Sequence, residues 1–404
     1  MIEMKRRVVR VLVADDSAVM RGILRTLFAA HAERPYGDLP PMEVCGEAAD
    51  GVECLESVSR LQPDVLLLDL EMPRMHGLDV LDRLRAARPG LPVVMCSAYT
   101  ERGARTTVDA LTRGAADYVM KPSVESGFAV ALETLKDQLL PKIAALADRL
   151  ERRREAGQAS SIGWGFGSAG VEGTRDVTPT RVEVLVVGVS TGGPAALEVM
   201  LPQLAVNLPV PVLIVQHMPK LFTGALAERL DQCCALQVRE AYEGAVPMPG
   251  TVWLAPGDVH MEIRMTRRTD DGAGVVRVSL HPESPVNYCR PSVDRLFESA
   301  VDVYGAGTLA MVMTGMGADG LAGARRVHSA GGSVLAQDEG TSVVWGMPGR
   351  VAQAGIASAT LPLSMLAGEV TQRIWQGRRG VTRERMVLPN GMSKQCAEVA
   401  DGLL

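Results

Sequence analysis

The strongest constraint on the fold is a repeated alternation of short apolar runs with helical patterns. It occurs over about the first 135 residues and again from residue 182 to about residue 373. Such alternation is typical of parallel strands joined by crossover helices. Fully apolar runs such as VLLL at 65–68 fit strands that are buried on both faces. We therefore expect an α/β chain with two doubly wound parallel-sheet domains.

The 404-residue length also suits two domains with connecting segments. A helical pattern runs from about 129 to 155, with Pro141 kinking it or starting a second helix. The stretch 157–180 is rich in Gly and Ser, and 31–42 is a Pro-rich surface loop. The predicted divisions are a first domain at 8–135, a helical extension and flexible linker at 136–181, a second domain at 182–373, and a loosely ordered tail at 374–404.

Composition excludes several classes of partner and location. The formal net charge is −5, which argues against binding to nucleic acid or to anionic lipid. No apolar stretch approaches the roughly 18 to 20 residues that span a bilayer, and the N-terminal apolar run reaches Asp15 too early for a signal peptide. We expect a cytoplasmic protein without membrane insertion. Its seven cysteines show no metal-binding spacing and are expected to be mainly apolar fillers.

Polar residues follow the predicted strands of the first domain. Asp15 and Asp16, Asp69, Ser97 and Lys121 each end or follow an apolar run, so they should meet at the carboxyl edge of the sheet. Three carboxylates suit Mg²⁺, a lysine can neutralise an acyl phosphate, and a hydroxyl can hydrogen-bond it. A single strand-end aspartate is more often a cap or turn residue, but the joint pattern favours phosphoryl transfer to Asp69.

The motifs at these positions resemble the two-component receiver family, which is flavodoxin-like. They are DD at 15–16, DLEMPRMHG at 69–77, SA at 97–98 and YVMKP at 118–122. The resemblance implies that Asp69 accepts the phosphoryl group and that Asp15, Asp16 and Asp69 hold Mg²⁺. It further implies switch roles for Ser97, Tyr118 and Lys121, and a cis peptide bond between Lys121 and Pro122.

A nucleophilic serine is predicted in the second domain. Gly188, Ser190 and Gly192 satisfy the G-x-S-x-G pattern between an apolar strand and a helix. In that pattern a sharp turn presents the serine, and the start of the helix offers backbone N–H groups. A phosphate-binding turn or a simple turn remains an alternative on this motif alone.

The serine needs a base and an orienting acid. His217 follows the strand VLIVQ and should share the carboxyl edge with Ser190, with His260 as its rival. Asp319 lies in a Gly-rich turn after TLAMVM and could orient the histidine, although a helix N-cap is the commoner role for such a residue.

The second domain is similar to the protein-glutamate methylesterase family of bacterial chemotaxis, whose catalytic domain is Rossmann-like. The shared segments are GVSTGGP, VQHMP, APGDVHM, RPSVDRLF, TGMGADG and AQDEGTSVVWGMPG. The resemblance implies Ser190 as nucleophile, His217 as base and acid, Asp319 as orienting acid, and backbone amides near Thr191 and Met316 as the oxyanion site. Arg290 would help position the substrate or form a structural ion pair. Cys289 stands where relatives often carry histidine.

The resemblance implies hydrolysis of glutamate methyl esters on the cytoplasmic helices of chemoreceptors, with release of methanol, and often deamidation of receptor glutamines. No cofactor is expected for that reaction. A chemotaxis histidine kinase would donate the phosphoryl group, and the unphosphorylated receiver would block the Ser190 edge.

Three alternatives remain open on the sequence. A transcriptional regulator is disfavoured because 182–373 lacks a basic recognition helix. A nucleotide-binding module is disfavoured because the G-x-G-x-x-G spacing is missing. An esterase that acts in another pathway is the third.

Overall fold

The structure is a computed structural model that describes residues 7–122, 127–159, 181–267, 274–376 and 378. The chain forms two compact units, Met1–Val171 and Glu172–Leu404. Most of the predicted linker and all of the predicted tail beyond residue 378 lie outside the described residues. No helix in the described ranges is long and apolar enough to cross a membrane.

The N-terminal unit contains a five-stranded parallel sheet with the order β2-β1-β3-β4-β5. Its strands are β1 (Val9–Ala14), β2 (Met42–Ala48), β3 (Val65–Asp69), β4 (Val93–Ser97) and β5 (Asp117–Met120). Its helices are α1 (Ala18–Glu33), α2 (Gly51–Leu61), α3 (Gly77–Ala87), α4 (Glu101–Thr112) and α5 (Phe128–Ala159). The β3 and β4 strands are buried along their whole length, as their apolar sequences predict.

Short polar side chains fix where two of these helices begin. Ser17 caps α1 by accepting a hydrogen bond from the N–H of Met20. Asp50 caps α2 by accepting from the N–H groups of Val52 and Glu53. The Ser17 cap starts α1 directly after Asp15 and Asp16, which follow β1.

The α5 helix runs without interruption through Pro141, so the expected second segment does not form. A proline inside a helix costs about 3 kcal/mol because it removes a backbone hydrogen bond and crowds the preceding turn. Leu139, Leu140, Ile143 and Leu146 around it are fully buried. Each contributes roughly 1.5 to 3 kcal/mol by burial, which outweighs the cost of the proline.

The C-terminal unit contains a seven-stranded parallel sheet with the order β14-β13-β12-β6-β7-β9-β8. Its strands are β6 (Val184–Val189), β7 (Val212–Gln216), β8 (Gln237–Glu240), β9 (Thr251–Leu254), β12 (Thr308–Val312), β13 (Ser333–Gln337) and β14 (Ala359–Leu361). Its helices are α6 (Gly193–Met200), α7 (Lys220–Cys233), α8 (Val293–Tyr304), α9 (Leu321–Ser329), α10 (Met347–Gln353) and α11 (Leu363–Gln376). The predicted α/β class with two doubly wound sheets is confirmed.

A separate antiparallel hairpin is inserted into this unit. It pairs β10 (His260–Arg267) with β11 (Gly274–His281). Its buried face packs into the same core as α8, through Met261, Ile263 and Val278 against Phe297. The apolar run VVRVSL at 275–280 forms most of β11 and so lies outside the parallel sheet. The loop that leaves the hairpin leads directly to the start of α8.

Candidate active site and phosphorylation site

Ser190 follows β6 in a tightly packed turn. Its N–H donates to the carbonyl of Thr314 at 3.0 Å, and Gly192 has a φ of +76°. A Cβ at Gly193 would overlap the side-chain oxygen of Gln216. The turn therefore requires glycine at both positions, Gly192 for its conformation and Gly193 for its close approach to Gln216.

His217 is adjacent to Ser190 at the same edge of the sheet. The register pairs Val189 with Gln216, so the two residues follow neighbouring strand ends. The N–H of His217 donates to Val189 at 3.2 Å, and the Gln216 side chain donates to the Ser190 carbonyl at 3.0 Å. No hydrogen bond joins Ser190 Oγ to His217 in the described structure. Bonds between nucleophile and base are often looser without substrate.

Asp319 lies in the turn after β12, which neighbours β6 on its other side. Its Oδ2 lies 2.8 Å from His217 Nε2, and its side chain is 1% exposed. It also accepts hydrogen bonds from Ser292 Oγ at 2.8 Å and from the N–H of Val293 at 2.7 Å. The carboxylate therefore holds both the imidazole and the first turn of α8.

Asp319 and His217 stabilise each other's charged forms. Burial opposes ionisation of Asp319, but the hydrogen bond from His217 and those from Val293 and Ser292 lower its pKa to about 2. Burial also opposes the imidazolium, yet the bonds to Asp319 and Cys289 raise the pKa of His217 to about 9. An ionised Asp319 requires Nε2 to carry a proton. Nδ1 is therefore the nitrogen that can accept one.

A second carboxylate supports the first. Asn287 Nδ2 donates to Asp294 Oδ2 at 2.8 Å and to Asp319 Oδ1 at 3.2 Å. Asp294 also accepts from the N–H of Gly323 at 2.7 Å. Burial, followed by the nearby Asp319 charge, raises the pKa of Asp294 to about 6. Asn287 thus bridges two neighbouring carboxyl groups of different acidity.

Thr191 and Met316, the predicted oxyanion residues, flank Ser190 from two turns. Thr191 is buried directly after Ser190, and Met316 is half-buried in the turn before Asp319. A Cβ at Gly315 would lie 2.7 Å from Ser190 Cβ, so this turn packs against the serine. Within the part of the chain that the structure describes, the N–H of Met316 has no hydrogen-bond acceptor.

The acidic residues of the N-terminal unit also converge. Carboxylate oxygens of Asp15, Asp16 and Asp69 lie within 4.8 Å of one another. Lys121 Nζ lies 2.9 Å from Asp15 Oδ2 and 2.8 Å from Asp69 Oδ2. Asp15 and Asp69 are buried, whereas Asp16 is exposed at the mouth. The cluster offers hard oxygen ligands, and a cation already offsets part of its charge.

Burial and charge oppose each other at this cluster. Burial and then the Asp15 carboxylate raise the pKa of Asp69, although Lys121 counteracts them. Burial alone would lower the pKa of Lys121, but Asp69 and Asp15 reverse the shift and raise it. Asp69 and Asp15 therefore stabilise the charged form of Lys121, which contacts both acids.

Ser97 and Tyr118 occupy strand positions beside the cluster. Ser97 ends β4, where it is buried and accepts a 2.6 Å hydrogen bond from Thr107. The Tyr118 ring is buried under Lys142, whose Nζ lies 4.9 Å from the ring centroid. The hydrogen bonds described for Ser97 join it to Ala98, Gly103 and Thr107.

Comparisons with known proteins give the family. The CheB methylesterase family model matches residues 185–370, and the response regulator receiver domain model matches residues 11–133. A Nocardioides sp. relative named protein-glutamate methylesterase/protein-glutamine glutaminase is 44% identical, over 92% of this chain and 96% of its own. The chain belongs to the CheB methylesterase family.

A second relative fits this assignment of the chain to the CheB family, and one solved structure is similar in sequence to part of the chain. A Trichodesmium erythraeum protein with the same name is 40% identical, over 90% of this chain and 99% of its own. The crystal structure of the Thermotoga maritima CheB methylesterase catalytic domain is 39% identical and covers 48% of this chain and 99% of that one, with a TM-score of 0.45.

Two other predicted residues of this CheB-family chain have distinct surroundings. His260, the rival base, is fully buried and contacts the carbonyl of Ser284 at 3.1 Å, whereas His217 is paired with Asp319. Arg290 donates to the carbonyls of Pro282 and Glu283. Its guanidinium therefore braces the loop after the hairpin.

The expected cis peptide bond at Lys121 is wrong. The cis bond in the described part of this CheB-family chain joins Arg290 to Pro291, not Lys121 to Pro122. The two isomers of an X-Pro bond differ by only about 0.5 to 1 kcal/mol, so the surroundings decide between them and a sequence motif does not.

Sequence reasoning missed the residues that hold the acid of the CheB site. They are Asn287, Ser292 and Asp294, which all contact or flank Asp319. Ser292 and Asp294 precede the apolar run of α8, which is a helix-start signal that could have drawn attention to them. Asn287 gave no such signal, because its position depends on the path of the hairpin loop.

Proposed function

We propose that this chain is a phosphorylation-activated hydrolase that removes methyl esters from glutamate residues of chemoreceptors and deamidates receptor glutamines. The observation that carries the proposal is the convergence of Ser190, His217 and Asp319 at the ends of three adjacent strands. The names of the relatives support the choice of substrate.

In the proposed reaction Ser190 Oγ attacks the ester carbonyl while His217 Nδ1 accepts its proton. Asp319 holds Nε2–H and stabilises the imidazolium that forms. The backbone amides of Thr191 and Met316 donate to the oxyanion. His217 then protonates the departing methoxide, which leaves as methanol. Water attacks the glutamyl-serine ester with His217 as base, and Ser190 leaves with the proton returned by His217. A glutamine side chain reacts in the same geometry and releases ammonia.

Asp69 is the proposed phosphoacceptor in the receiver domain. Asp15, Asp16 and Asp69 would hold Mg²⁺, and their mutual spacing and oxygen chemistry fit that ion. When bound, Mg²⁺ neutralises phosphoryl oxygens. Lys121, already 2.8 Å from Asp69, would contact the phosphorylated side chain, and Ser97 and Tyr118 would respond to it. A chemotaxis histidine kinase is the proposed donor.

The domain boundaries at 8–135, 136–181, 182–373 and 374–404 are part of this proposal, as is substrate positioning by Arg290. The enzyme would act in the cytoplasm, where the receptor helices and the kinase meet. Without phosphorylation the receiver would restrict access to Ser190, and phosphorylation of Asp69 would shift the population towards an accessible state.

The test is methanol release from a methylated chemoreceptor fragment, with and without a small phosphodonor and Mg²⁺. We expect release to rise with the donor, to lose that rise in Asp69→Ala, and to vanish in Ser190→Ala. An Asp302→Asn variant, altered at an exposed site, serves as the control. Absence of release from folded, phosphorylated protein would refute the chemoreceptor substrate and favour an ester from another pathway.

A further inference from the structure

A cysteine thiol lies against the nitrogen that serves as the base. Cys289 Sγ is 3.6 Å from His217 Nδ1, and the opposite nitrogen of the same ring is bonded to Asp319. Ligand atoms of the three residues lie within 4.8 Å of one another. Cys289, His217 and Asp319 therefore form a row of thiol, imidazole and carboxylate. The imidazole in this row is also the proposed base for Ser190.

The position of this thiol is fixed by the backbone of the loop after the hairpin. Val286 and Cys289 exchange two backbone hydrogen bonds of 3.1 and 2.8 Å. The turn between them places Asn287 and Tyr288 at positive φ, and Tyr288 is 102% exposed. Cys289 is half-buried. The residue is therefore partly open to solvent, while its sulfur contacts the imidazole of His217 and the carbonyl of Asn287.

The surroundings of the other cysteines differ from those of Cys289. Burial raises the pKa of Cys54 to about 12 and raises that of Cys96 still further. Burial also raises the pKa of Cys45. The neighbouring Cys234 thiol lowers the pKa of Cys233. Among the described cysteines only Cys289 has an imidazole nitrogen as a hydrogen-bond partner of its sulfur, and a base at that position is what formation of the nucleophilic thiolate requires.

We propose that Cys289 is a peroxide-sensitive modification site that reversibly switches off the esterase. The Cys289 thiolate attacks one oxygen of a hydroperoxide, forming an S–O bond as the O–O bond breaks. The sulfur is oxidised by two electrons to the sulfenic acid, and the peroxide is reduced. The departing alkoxide or hydroxide takes the proton held by His217 and leaves as alcohol or water.

The added oxygen would lie between the sulfur and Nδ1, where the imidazole must accept the serine proton. Sulfenic acids are reduced back to thiols by excess thiol, so activity should return. Methionine sulfoxide is not reversed by thiols alone, which separates the two kinds of oxidation. The loss of activity rests on the proposed function, whereas the chemistry of the thiol does not.

The experiment measures modification and activity separately on the full-length protein. Hydrogen peroxide with dimedone labels sulfenic acids, and peptide mass spectrometry compares the rate at Cys289 with that at Cys45. We expect Cys289 to be labelled at least tenfold faster, and His217→Asn to remove most of that advantage. Equal labelling of the two cysteines, or labelling unaffected by His217→Asn, would overturn the proposal.

Activity provides the second readout. Peroxide should abolish most methanol release, dithiothreitol should restore it, and Cys289→Ser should retain its own untreated rate under the same exposure. The matched control is Cys233→Ser, which should remain as sensitive as the wild type. If iodoacetamide alkylates Cys289 no faster than Cys45 in the wild type, the proposal fails even where a variant does not fold.

Discussion

His217 Nε2 lies 2.8 Å from Asp319 Oδ2, and the same carboxylate accepts hydrogen bonds from Ser292 and from the first turn of α8. The acid of the site is therefore anchored by an element that contributes no other catalytic group. This anchoring has two consequences. The hydrogen bond to Asp319 fixes the tautomer of the His217 imidazole, and Asp319 keeps its charge even in weakly acidic solution.

The Asp319→Asn substitution should lower kcat by about 10³- to 10⁴-fold. An amide in place of the carboxylate can present its NH₂ group to the imidazole and favour the wrong tautomer. Methanol release from the receptor fragment measures the effect, and circular dichroism checks the fold. A loss smaller than tenfold in folded protein would remove Asp319 from the catalytic row.

Activity should fall as the solution is acidified below about pH 9. The base must be neutral, and the pKa of His217 is raised to about 9 by its bonds to Asp319 and Cys289, against the effect of burial. Between pH 8 and 7 the neutral fraction falls about tenfold, and kcat/KM should follow it. A kcat/KM profile that is flat from pH 9 to pH 7 would contradict this assignment.

The raised pKa of His217 also increases the free energy of unfolding at pH values where the imidazole is charged. Because the folded-state pKa is raised, the contribution is fully present below the ordinary pKa of 6.5 and is lost as the pH rises through about 9.

The Cys289→Ser substitution removes one of the groups that raise the pKa of His217. The rise of kcat/KM with pH should therefore occur at lower pH in this variant than in the wild type.

The Lys121→Met substitution should lower the free energy of unfolding of the receiver domain by about 2 kcal/mol. This figure is smaller than for a fully buried ion pair because the Lys121 side chain is 23% exposed to solvent. It leaves Asp15 and Asp69 without their shared cation. Added Mg²⁺ should restore part of the loss, because a divalent ion can replace the ammonium. Urea unfolding with and without Mg²⁺ measures both effects, with Lys136→Met, at an exposed ion pair, as the control. A Mg²⁺ effect no larger than in the wild type would count against a metal site here.

The Gly315→Ala substitution should reduce activity at least tenfold. Its new methyl group would lie 2.7 Å from Ser190 Cβ and would overlap the sulfur of Met347, so the serine must shift. Gly368→Ala is the matched control, because a methyl group there meets nothing within 4 Å and Gly368 lies inside α11. Thermal unfolding together with methanol release distinguishes a displaced serine from a general loss of stability. Unchanged activity in Gly315→Ala would show that the turn accommodates the methyl group without displacing Ser190, which would contradict the prediction.

The parallel sheets and the edge that holds the candidate site residues could be predicted because each buried strand appears as a continuous apolar run in the sequence. Apolar runs mark the strands, and polar residues directly after them must share one edge, which brought Asp15, Asp69, Ser190 and His217 into the prediction. Short strands escaped detection. β8 and β14 have four and three residues of mixed exposure, which is too few to show a period.

The groups that hold Asp319 could not be predicted in the same way. Asn287 reaches it from the loop after the hairpin, and that path depends on how the hairpin packs against α8 rather than on a local pattern. The uninterrupted helix through Pro141 has the same kind of cause, since buried leucines outweigh a local preference.

The hairpin β10–β11 lies outside the parallel sheet, yet the loop after it supplies Asn287, which donates to Asp319, and Cys289, which contacts His217. The sheet carries the proposed catalytic residues Ser190, His217 and Asp319, and the inserted loop carries residues that contact two of them. We therefore expect an exchange of this loop to change substrate selectivity while the proposed chemistry stays the same. A graft between His281 and Val293 is the natural unit for redesign, provided that Asn287 and Ser292 are retained to hold the acid.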